Sequence, residues 1–377
     1  GDVYKRQELR PDGMIQVLCD TAKIGLSRCY EQSDKLPYTV TRSRGKNYMS
    51  RGHSIRYAAI SQIGIAKWLE HHPLDRDRLP GLWPRISDNF ADISHVGDMA
   101  LSLWAGVQTG ADDLKRFAGA LKQFWALQAD VCNAVELGWV LTACVMAQQY
   151  DDSTMDELKT VMSESYNRLL SLFNDGSRLF ARHGRPGLKE ALSRHVACFA
   201  DQVYPVVALS KYGMFFEDQK SIEIAAFTVE KICHYQGGLG QWQWHYDVFS
   251  DRISEEYPVF SVHQDGMAPM AILISDRASG QDHWRQIELG VRWLFGENEL
   301  SENMVLQEQG IVWRDIEKRE PVKLSRVLRG ILSMAGLERL HRLTAGCFCG
   351  FRVNWECRPY HLGWVLYAWA ERTGENG

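Results

Sequence analysis

The sequence predicts an all-α fold, an (α/α)6 toroid of six helical hairpins with short β-hairpin insertions. The first observation is a helical period, because apolar residues recur every three or four positions in about twelve segments. The second is an alternation: about half of these segments are apolar nearly all round, and the rest are amphipathic. A helix that is apolar on every side is buried, and an amphipathic helix is peripheral. Six inner helices should therefore alternate with about six outer ones.

Length and composition are those of a soluble chain that can bury a sizeable core. The 377 residues are 45% hydrophobic and 24% charged, which excludes disorder and collagen-like repeats. No apolar run approaches the roughly 18 residues that a membrane span needs. The net charge of −4 argues against general nucleic-acid binding. Residues 1–7 have the character of a non-native, adapter-derived leader, so a single toroid domain is expected over residues 8–377.

The cysteines indicate a reducing compartment. There are nine, an odd number, and most lie in apolar helical stretches. We interpret them as buried, reduced thiols, which favours a cytoplasmic location. A periplasmic or secreted location stays open, because residues 1–7 stand where the native N-terminus would be. The oligomeric state is not predicted.

The helical segments follow one another along the whole chain. They cover 13–30, 54–70, 98–107, 112–129, 136–149, 153–173, 201–212, 219–235, 265–274, 281–295, 322–340 and 360–371. Alternation typical of strands is confined to short pieces. Residues 241–249 followed by 256–259 predict a hairpin, and 311–316 is a further extended segment. The loops 297–322 and 343–358 have no role that the sequence assigns.

Six helices begin with a polar cluster and then turn strongly apolar. In a toroid the inner helices run parallel, so these starts should meet at one mouth of the ring. N-capping explains one polar residue per helix, but several of these starts carry two or more. The six starts read RGHSIRYAAI from Arg51, HVGDMALSLWA from His95, NAVELGWVLTA from Asn133, FADQVYPVVAL from Phe199, SVHQDGMAPMAIL from Ser261 and CRPYHLGWVLYAW from Cys357.

Carboxylates at these starts are the candidate acid–base groups. Glycoside hydrolysis needs one protonated carboxyl and one ionised partner. Carboxylates on a shared rim raise one another's pKa, which keeps one of them protonated near neutral pH. Helix capping is the structural alternative for each of them. The predicted catalytic residues are Asp201 and Asp265 as base and acid, His263 and Tyr204 as proton partners, and Glu136 and Asp98 at the equivalent places on two more inner helices.

Arginines, histidines and aromatic residues are the candidate substrate ligands. Arginine presents a planar fork to carboxylate or phosphate, and helix N-termini add positive dipole ends. Ion pairing within the protein is the structural alternative. The sequence has neither an HExxH nor a paired CxxC motif, so no metal and no cofactor are predicted. The predicted binding residues are Arg51, Arg56, Arg358, His361, Trp242, Trp244, His245, Tyr246 and Tyr257, whereas Trp139 and Trp364 are expected in the core.

One resemblance rests on QGGLGQW at 236–242, which matches the Gln-x-x-x-Gly-x-Trp motif of squalene-cyclase-type terpene cyclases. The strings FADQVYP, GQWQWHYD, YPVFSVHQDGMAPMA and ECRPYHLGWVLYAW are similar to bacterial squalene-cyclase-repeat-like proteins that accompany polysaccharide biosynthesis genes. This resemblance implies a terpene cyclase or prenyl-transfer enzyme that would need Mg²⁺ to ionise a diphosphate. The Asp-x-Asp-Asp acid motif of the class II cyclases is absent from the chain.

A second resemblance is one of architecture and polar content. Six-hairpin toroids also serve glycoside hydrolases, uronate lyases and uronyl C5-epimerases, whose clefts are lined by carboxylates, His, Tyr, Arg and Trp. The polar helix starts resemble such a cleft more closely than an apolar terpene cavity. We therefore expect an enzyme that cleaves or modifies an acidic bacterial polysaccharide or its precursor. An isoprenoid enzyme and a non-catalytic glycan-binding toroid remain the alternatives.

Overall fold

The computed structural model describes residues 10–31, 36–42, 48–150, 157–183, 195–319 and 350–373. Within these ranges the chain is predominantly helical, as expected. The described α-helices are α1 (Pro11–Glu31), α2 (Ile55–His71), α3 (Trp83–Asp88), α4 (Val96–Thr109), α5 (Leu114–Gln128), α6 (Ala134–Tyr150), α7 (Lys159–Ser171), α8 (Ala200–Phe216), α9 (Gln219–His234), α10 (Ala268–Ser279), α11 (Trp284–Leu294) and α12 (Pro359–Thr373). A π-helical turn, His263–Met267, leads directly into α10.

Six of these helices form a closed ring. Helix α2 packs against α4, α4 against α6, α6 against α8, α8 against α10, and α12 closes the ring between α10 and α2. These are the six helices whose starts are polar in the sequence. Beyond those starts, most of their buried residues are apolar. The predicted (α/α)6 toroid is therefore confirmed.

The outer helices pack against the ring from outside. Helix α5 lies on α4, α7 on α6, and α9 on α8 and α10. Helix α1 packs on α12, and the short α3 packs between α2 and α4. Each of the helices α5, α7 and α9 buries one face only, as an amphipathic sequence requires.

The repeated string LGWVL marks two places where inner helices approach closely. Gly138 in α6 and Gly363 in α12 occupy the same place in the two copies. A Cβ on Gly138 would lie 2.8 Å from the carbonyl carbon of Tyr204 in α8, and one on Gly363 would lie 2.7 Å from the Cα of Ser61 in α2. The glycines thus let the backbones of adjacent inner helices meet. The following residues, Trp139 and Trp364, are buried as predicted.

Short strands lie in the connections between the helices. They are β1 (Thr39–Arg42), β2 (Tyr48–Arg51), β3 (Phe173–Asn174), β4 (Leu179–Phe180), β5 (Val196–Cys198), β6 (His245–Asp247), β7 (Arg252–Glu255), β8 (Val259–Phe260), β9 (Val305–Leu306), β10 (Ile311–Val312), β11 (Asp315–Lys318), β12 (Phe351–Asn354) and β13 (Glu356–Cys357). All of their pairings are antiparallel, and the three-stranded sheets run β13-β1-β2, β5-β6-β7 and β12-β11-β8.

The expected hairpin is present with a different second strand. β6 lies inside 241–249, but it pairs with β7 at Arg252–Glu255 instead of 256–259. The extended segment 311–316 contains β10 and the start of β11. The predicted helix 322–340, the start of the one at 153–173, and Cys347 and Cys349 lie outside the described residues. The other seven cysteines have free thiols, five of them buried.

The loop that carries the Gln-x-x-x-Gly-x-Trp motif joins α9 to β6 and packs on α11. Gln236 Nε2 donates to the carbonyl of Gly240 at 3.1 Å and to that of Gln286 at 2.8 Å. Gly240 has φ +90°, and a Cβ there would collide with the backbone of Leu289. The motif therefore closes a tight loop and seats it on the neighbouring helix.

Candidate functional site

A polar pocket of about 500 Å³ opens where α2 and α4 begin. Residues 53–57 form one wall, residues 92, 93 and 98 form the other, and Tyr38 closes one side. The N-terminal ends of both helices point into this region. Helix N-termini carry unpaired N–H groups and the positive end of the helix dipole, so this mouth favours negative charge.

Arg56 and Asp98 form an ion pair across this pocket. Arg56 Nε donates to Asp98 Oδ1 at 2.5 Å, and the two side chains are 37% and 23% exposed. The guanidinium also lies over the ring of Trp139, 5.4 Å from its centre. The structure thus brings Arg56 and Asp98 together at one mouth, and their roles in binding and catalysis stay predictions.

Arg358 reaches the same region from the start of α12. Its guanidinium donates to the hydroxyl of Tyr57 at 3.0 Å and to Glu356 Oε2 at 3.0 Å. It also lies over the ring of Tyr38, which lines the pocket, at 5.4 Å. The buried Arg358 Nε has no hydrogen-bond partner in the part of the chain that the structure describes. Tyr360 packs on Tyr57 with ring centres 4.5 Å apart.

A second cluster of charged residues, Arg314 and Asp315 at the start of β11, adjoins Arg358. Arg314 donates to Glu356 Oε2 at 2.9 Å, so Glu356 is shared by two arginines. Burial raises the pKa of Glu356, but the hydrogen bonds and charges of Arg358 and Arg314 outweigh it and hold that pKa below its usual range. Asp315 follows Arg314 and is 2% exposed. Burial raises the pKa of Asp315 to about 7, although Arg314 opposes the shift.

The sequence reasoning missed Tyr57, Arg314 and Asp315. Tyr57 directly follows Arg56 in a helix start that the sequence identifies as polar, so its place at the mouth could have been predicted from the sequence. Arg314 and Asp315 lie in the loop 297–322, which had no assigned role. Only the pairing of β11 with β12 places Asp315 opposite Asn354, whose Nδ2 donates to Asp315 Oδ2 at 3.1 Å.

We expect Asp315→Asn to change how stability depends on pH. The folded state binds a proton at Asp315 near pH 7, whereas an unperturbed aspartate binds one only near pH 3.8. Between these values Asp315 makes the unfolding free energy fall by about 1.4 kcal/mol per pH unit as pH rises. An asparagine side chain does not titrate, so the variant should gain stability over the parent from about pH 4 to about pH 8. Denaturant melts at several pH values measure this, and parallel curves for both proteins would contradict it.

Four predicted catalytic side chains lie below the mouth and are buried. Asp201, His263, Asp265 and Tyr204 are between 0% and 6% exposed, so they do not face solvent in this structure, and their roles in catalysis stay predictions. Asp265 Oδ1 and His361 Nε2 are 2.7 Å apart in a fully buried pair. Burial raises the pKa of Asp265, and His361 offsets only part of that shift. His361, a predicted substrate ligand, therefore faces the interior instead of the mouth.

His263 is held in its neutral form. Burial, followed by the charges of His361 and His245, lowers its pKa to about 3. Its ring lies 4.6 Å from that of Phe199 and 5.1 Å from that of Phe260. Such a histidine cannot act as a cationic partner near neutral pH.

Three of the four buried catalytic candidates have a buried side-chain atom without a hydrogen-bond partner among the described residues. The atoms are His263 Nδ1, Asp265 Oδ2 and Asp201 Oδ1. Buried polar groups without a partner are uncommon in native interiors and mark functional or hydrated positions. This buried set is therefore a second candidate for the chemistry of the protein.

Asp201 and Asp265 are each followed four residues later by a proline, Pro205 and Pro269, and the second proline affects the backbone at Asp265. Proline has no N–H, so it cannot donate to the carbonyl four residues earlier. Pro269 therefore leaves the carbonyl of Asp265 unpaired in the helix, and Trp369 Nε1 donates to it at 2.7 Å. The π-helical turn that contains Asp265 lies directly before this proline. π-helical turns frequently occur at functional sites.

The centre of the ring is filled by aromatic side chains from four inner helices. Trp364 Nε1 donates to the Tyr204 hydroxyl at 3.0 Å, and Trp139 contacts the ring of Tyr204 at 5.2 Å. Trp104 packs on Trp364 at 5.7 Å. Burial raises the pKa of Tyr204 well above its usual value. The hydroxyl of Tyr204 is therefore a protonated group within the core, not a free phenol at the mouth.

The predicted sugar platforms divide into buried and accessible residues. Trp242 and Tyr246, both predicted binding residues, are 0% exposed and do not present a surface to solvent in this structure. Trp244 is partly exposed and stacks on His245 with ring centres 4.0 Å apart. His245 Nδ1 lies 3.0 Å from Glu255 Oε2. The hydroxyl of Tyr257 donates to Glu299 Oε1 at 2.7 Å.

Glu136 and Arg51 complete the predicted set. Glu136 accepts from the backbone N–H of Asn133 at 3.0 Å, and Asn133 Oδ1 accepts from the N–H of Glu136 at 3.0 Å. This reciprocal arrangement is a capping box. His95 Nε2 lies 3.5 Å from Glu136 Oε1 at the same mouth. Arg51 is exposed on β2, opposite Thr39.

No group of three or more His, Cys, Asp or Glu side chains is placed to hold a metal ion within the described ranges. The described helices include none with the length and apolar character needed to span a bilayer.

The fold is similar to that of carbohydrate-active enzymes. The chain superimposes on an unsaturated glucuronyl hydrolase from Bacillus sp. GL1 with a TM-score of 0.56 and 12% identity, over 95% of this chain and 97% of that one. A family 88 glycosyl hydrolase from Bacteroides vulgatus gives 0.57 and 10%, over 95% and 99%. A sugar epimerase from a ruminal bacterium gives 0.61 and 9%, over 97% and 99%.

No protein-family model matches the chain, and no curated protein matches it by sequence. The structural relatives support the six-hairpin resemblance, and the one to squalene-cyclase-type proteins has no support among them. At these identities the likeness establishes the fold alone. The chain therefore shares the (α/α)6 toroid of these enzymes over nearly its whole length.

Proposed function

We propose that this protein is a carbohydrate-active enzyme that cleaves or modifies an acidic glycan in the mouth pocket. The observation that carries the proposal is the pair Arg56–Asp98 in a polar pocket where two inner helices begin. Its volume falls in the range of roughly 300–1,000 Å³ that small-molecule sites occupy. The Bacillus relative is described as responsible for the degradation of glycosaminoglycan, an acidic glycan, which agrees with this substrate class.

The pocket offers separate groups for charge recognition and for proton transfer. Arg358 is held beside the pocket by Tyr57 and Glu356, and its guanidinium lies over the ring of Tyr38, so its positive charge favours a substrate carboxylate in the pocket. Tyr38 and Tyr57 present aromatic surfaces on which a sugar ring can stack. Asp98 is the carboxylate that the pocket presents next to Arg56, and we assign it the role of proton acceptor.

The buried acids Asp201 and Asp265 are not assigned to the proposed proton transfer. Asp201 Oδ2 accepts from the backbone N–H of Cys198 at 2.8 Å, as a helix-capping carboxylate does. Asp265 Oδ1 is already hydrogen-bonded to His361 Nε2. A substrate can reach either of them only after the side chains above them move. We therefore assign proton transfer to Asp98 and keep Asp201, Asp265, His263 and Tyr204 as the second candidate set.

The proposal includes a cytoplasmic location and no cofactor. The free thiols support a reducing environment. Their pKa values are raised chiefly by burial, so these thiols are unreactive structural groups.

The test is incubation with a panel of ligands followed by thermal shift and mass spectrometry. The panel holds uronate-terminated oligosaccharides, saturated and unsaturated, matched neutral oligosaccharides, and farnesyl diphosphate with Mg²⁺. A ligand at ~100 times its Kd stabilises the fold by about 2.7 kcal/mol, which is a shift of several degrees. We expect the uronate oligosaccharides to give this shift and the neutral ones to give less.

The products separate the reaction classes. Hydrolysis adds one water to the substrate mass, and elimination splits the chain without adding water. Epimerisation keeps the mass but takes up deuterium from D₂O at the inverted carbon. A shift with farnesyl diphosphate alone would contradict the proposal and restore the isoprenoid alternative. Uronate binding without any product would instead leave a glycan-binding toroid.

A further inference from the structure

A second cavity of about 710 Å³ opens at the other end of the ring, where the inner helices end. All six inner helices contribute to its wall, so it lies on the axis of the toroid. It is separated from the mouth pocket by the aromatic side chains that fill the centre. Nothing in the proposed reaction uses it.

Lys211 of α8 is the distinctive group in this cavity. The contact that its Nζ makes is with the sulfur of Met146, at 3.4 Å, and no carboxylate lies within ion-pairing distance of it among the described residues. Burial lowers the pKa of Lys211 to about 8, and the more distant charge of Glu371 offsets only part of this effect. Lys211 is half-buried in the cavity wall, and a partly desolvated ammonium without an anionic partner is stabilised when a ligand supplies the opposite charge.

The charged groups around Lys211 leave an excess of positive charge. Glu371 is shared by Lys67, at 2.8 Å, and by Arg277, and these cations lower its pKa to about 2. Glu70, the other acid that faces Lys211, accepts a hydrogen bond from a glutamine amide. Three cations thus face two carboxylates, both of which already have partners. The rim of the cavity adds one charge of each sign, Arg372 and Asp12.

One part of the cavity wall is apolar. Met146, Met214 and Met270 line it together with Leu273 and Ile274. Methionine side chains are flexible and polarizable, so a wall rich in them adapts to apolar ligands of varied shape. The cavity therefore combines an apolar part of its wall with a charged part, in which the amine of Lys211 has no adjacent counter-charge among the described residues.

We propose that this cavity binds an amphipathic anion, with its apolar body on the methionines and its negatively charged head on the ammonium of Lys211. A carboxylate and a phosphate head share this chemistry. Binding does not depend on the reaction proposed for the mouth pocket.

The test is calorimetric titration of the full-length protein with decanoate, decyl phosphate, decanol and decyltrimethylammonium, each below its micelle concentration. We expect both anions to bind at least about tenfold more tightly than decanol, because a charged head adds a charge-assisted contact. The cationic amphiphile should bind more weakly than decanol. Tighter binding of one anion identifies the head group. Equal affinities for decanoate and decanol would overturn the proposal.

Variants assign the head group to Lys211. Lys211→Met should abolish the preference for anions and leave decanol binding intact, and Lys211→Arg should retain that preference. Lys122→Met, on the exposed face of α5, is the matched control and should behave as the parent. If Lys211→Met binds decanoate as the control does, the assignment is wrong. Should that variant fail to fold, protection of Lys211 from reductive methylation by decanoate, mapped by peptide mass spectrometry, tests the same contact in the unaltered protein.

Discussion

Asp98→Asn is expected to lower kcat on the acidic glycan by about 10²- to 10⁴-fold, the contribution typical of a positioned acid–base group. The substitution keeps the size of the side chain and an oxygen that can accept from Arg56 Nε, so the pocket should keep its shape. It removes the charge that lets the group accept a proton. Steady-state kinetics on the substrate that the panel identifies measure the effect.

The matched controls separate this role from that of the buried acids. Asp175→Asn changes an exposed carboxylate in the turn between β3 and β4, far along the chain from the pocket, and should leave kcat unchanged. Asp201→Asn and Asp265→Asn should lower the melting temperature, because each alters a buried hydrogen bond. If Asp265→Asn abolishes turnover and Asp98→Asn retains it, the chemistry belongs to the buried set.

Gly64→Ala is expected to lower the free energy of unfolding by about 1–3 kcal/mol. A Cβ at residue 64 of α2 would lie 2.6 Å from the carbonyl carbon of Gly363 in α12 and closer still to its oxygen. The obstacle is backbone, which cannot rotate aside as a side chain would. Helices α2 and α12 must therefore separate at the seam that closes the ring. The loss should appear even though alanine favours a helix over glycine by about 1 kcal/mol.

Gly81→Ala is the control for that prediction. Gly81 is exposed, and a Cβ there meets no atom of the described residues within 4 Å. The same chemical change should therefore alter stability by less than about 0.5 kcal/mol. Denaturant melts of both variants give the comparison. Equal midpoints would show that the ring closes without the tight contact between α2 and α12.

The sequence predicts that polar helix starts form the mouth, but it does not predict which of their side chains line the pocket. Each of the six polar starts is the beginning of an inner helix, as predicted, because a polar start followed by an all-apolar run is a local signal. The same pattern predicts Asp265 and Asp98 together on one rim. In the structure Asp98 faces the pocket, whereas Asp265 turns towards His361 in the interior. Asp265 lies in a π-helical turn just before Pro269. The apolar period of the sequence does not reveal this local change in the helix.

The groups that were missed lie where local patterns are weakest. Asp315 occupies a four-residue strand whose identity depends on partners about 40 and 55 residues away in the chain, in β12 and β8. Its raised pKa follows from burial, which only those pairings create. The burial of Trp242 could not be predicted for a related reason. Trp242 alternates with polar residues in the sequence, but its indole is covered by α11, where Gly290 allows a close approach.

By itself the sequence determined the helices, the alternation of inner and outer ones, and hence the toroid. Burial imposes an apolar period on every helix, and that period depends only on residues three or four positions apart. Only the tertiary structure decided which polar side chains share a pocket. Arg56 and Asp98 are 42 residues apart, and Arg358 and Tyr57 are 301 apart. Whether such residues touch depends on the rotation and axial offset of whole helices, which the packing of the entire ring sets.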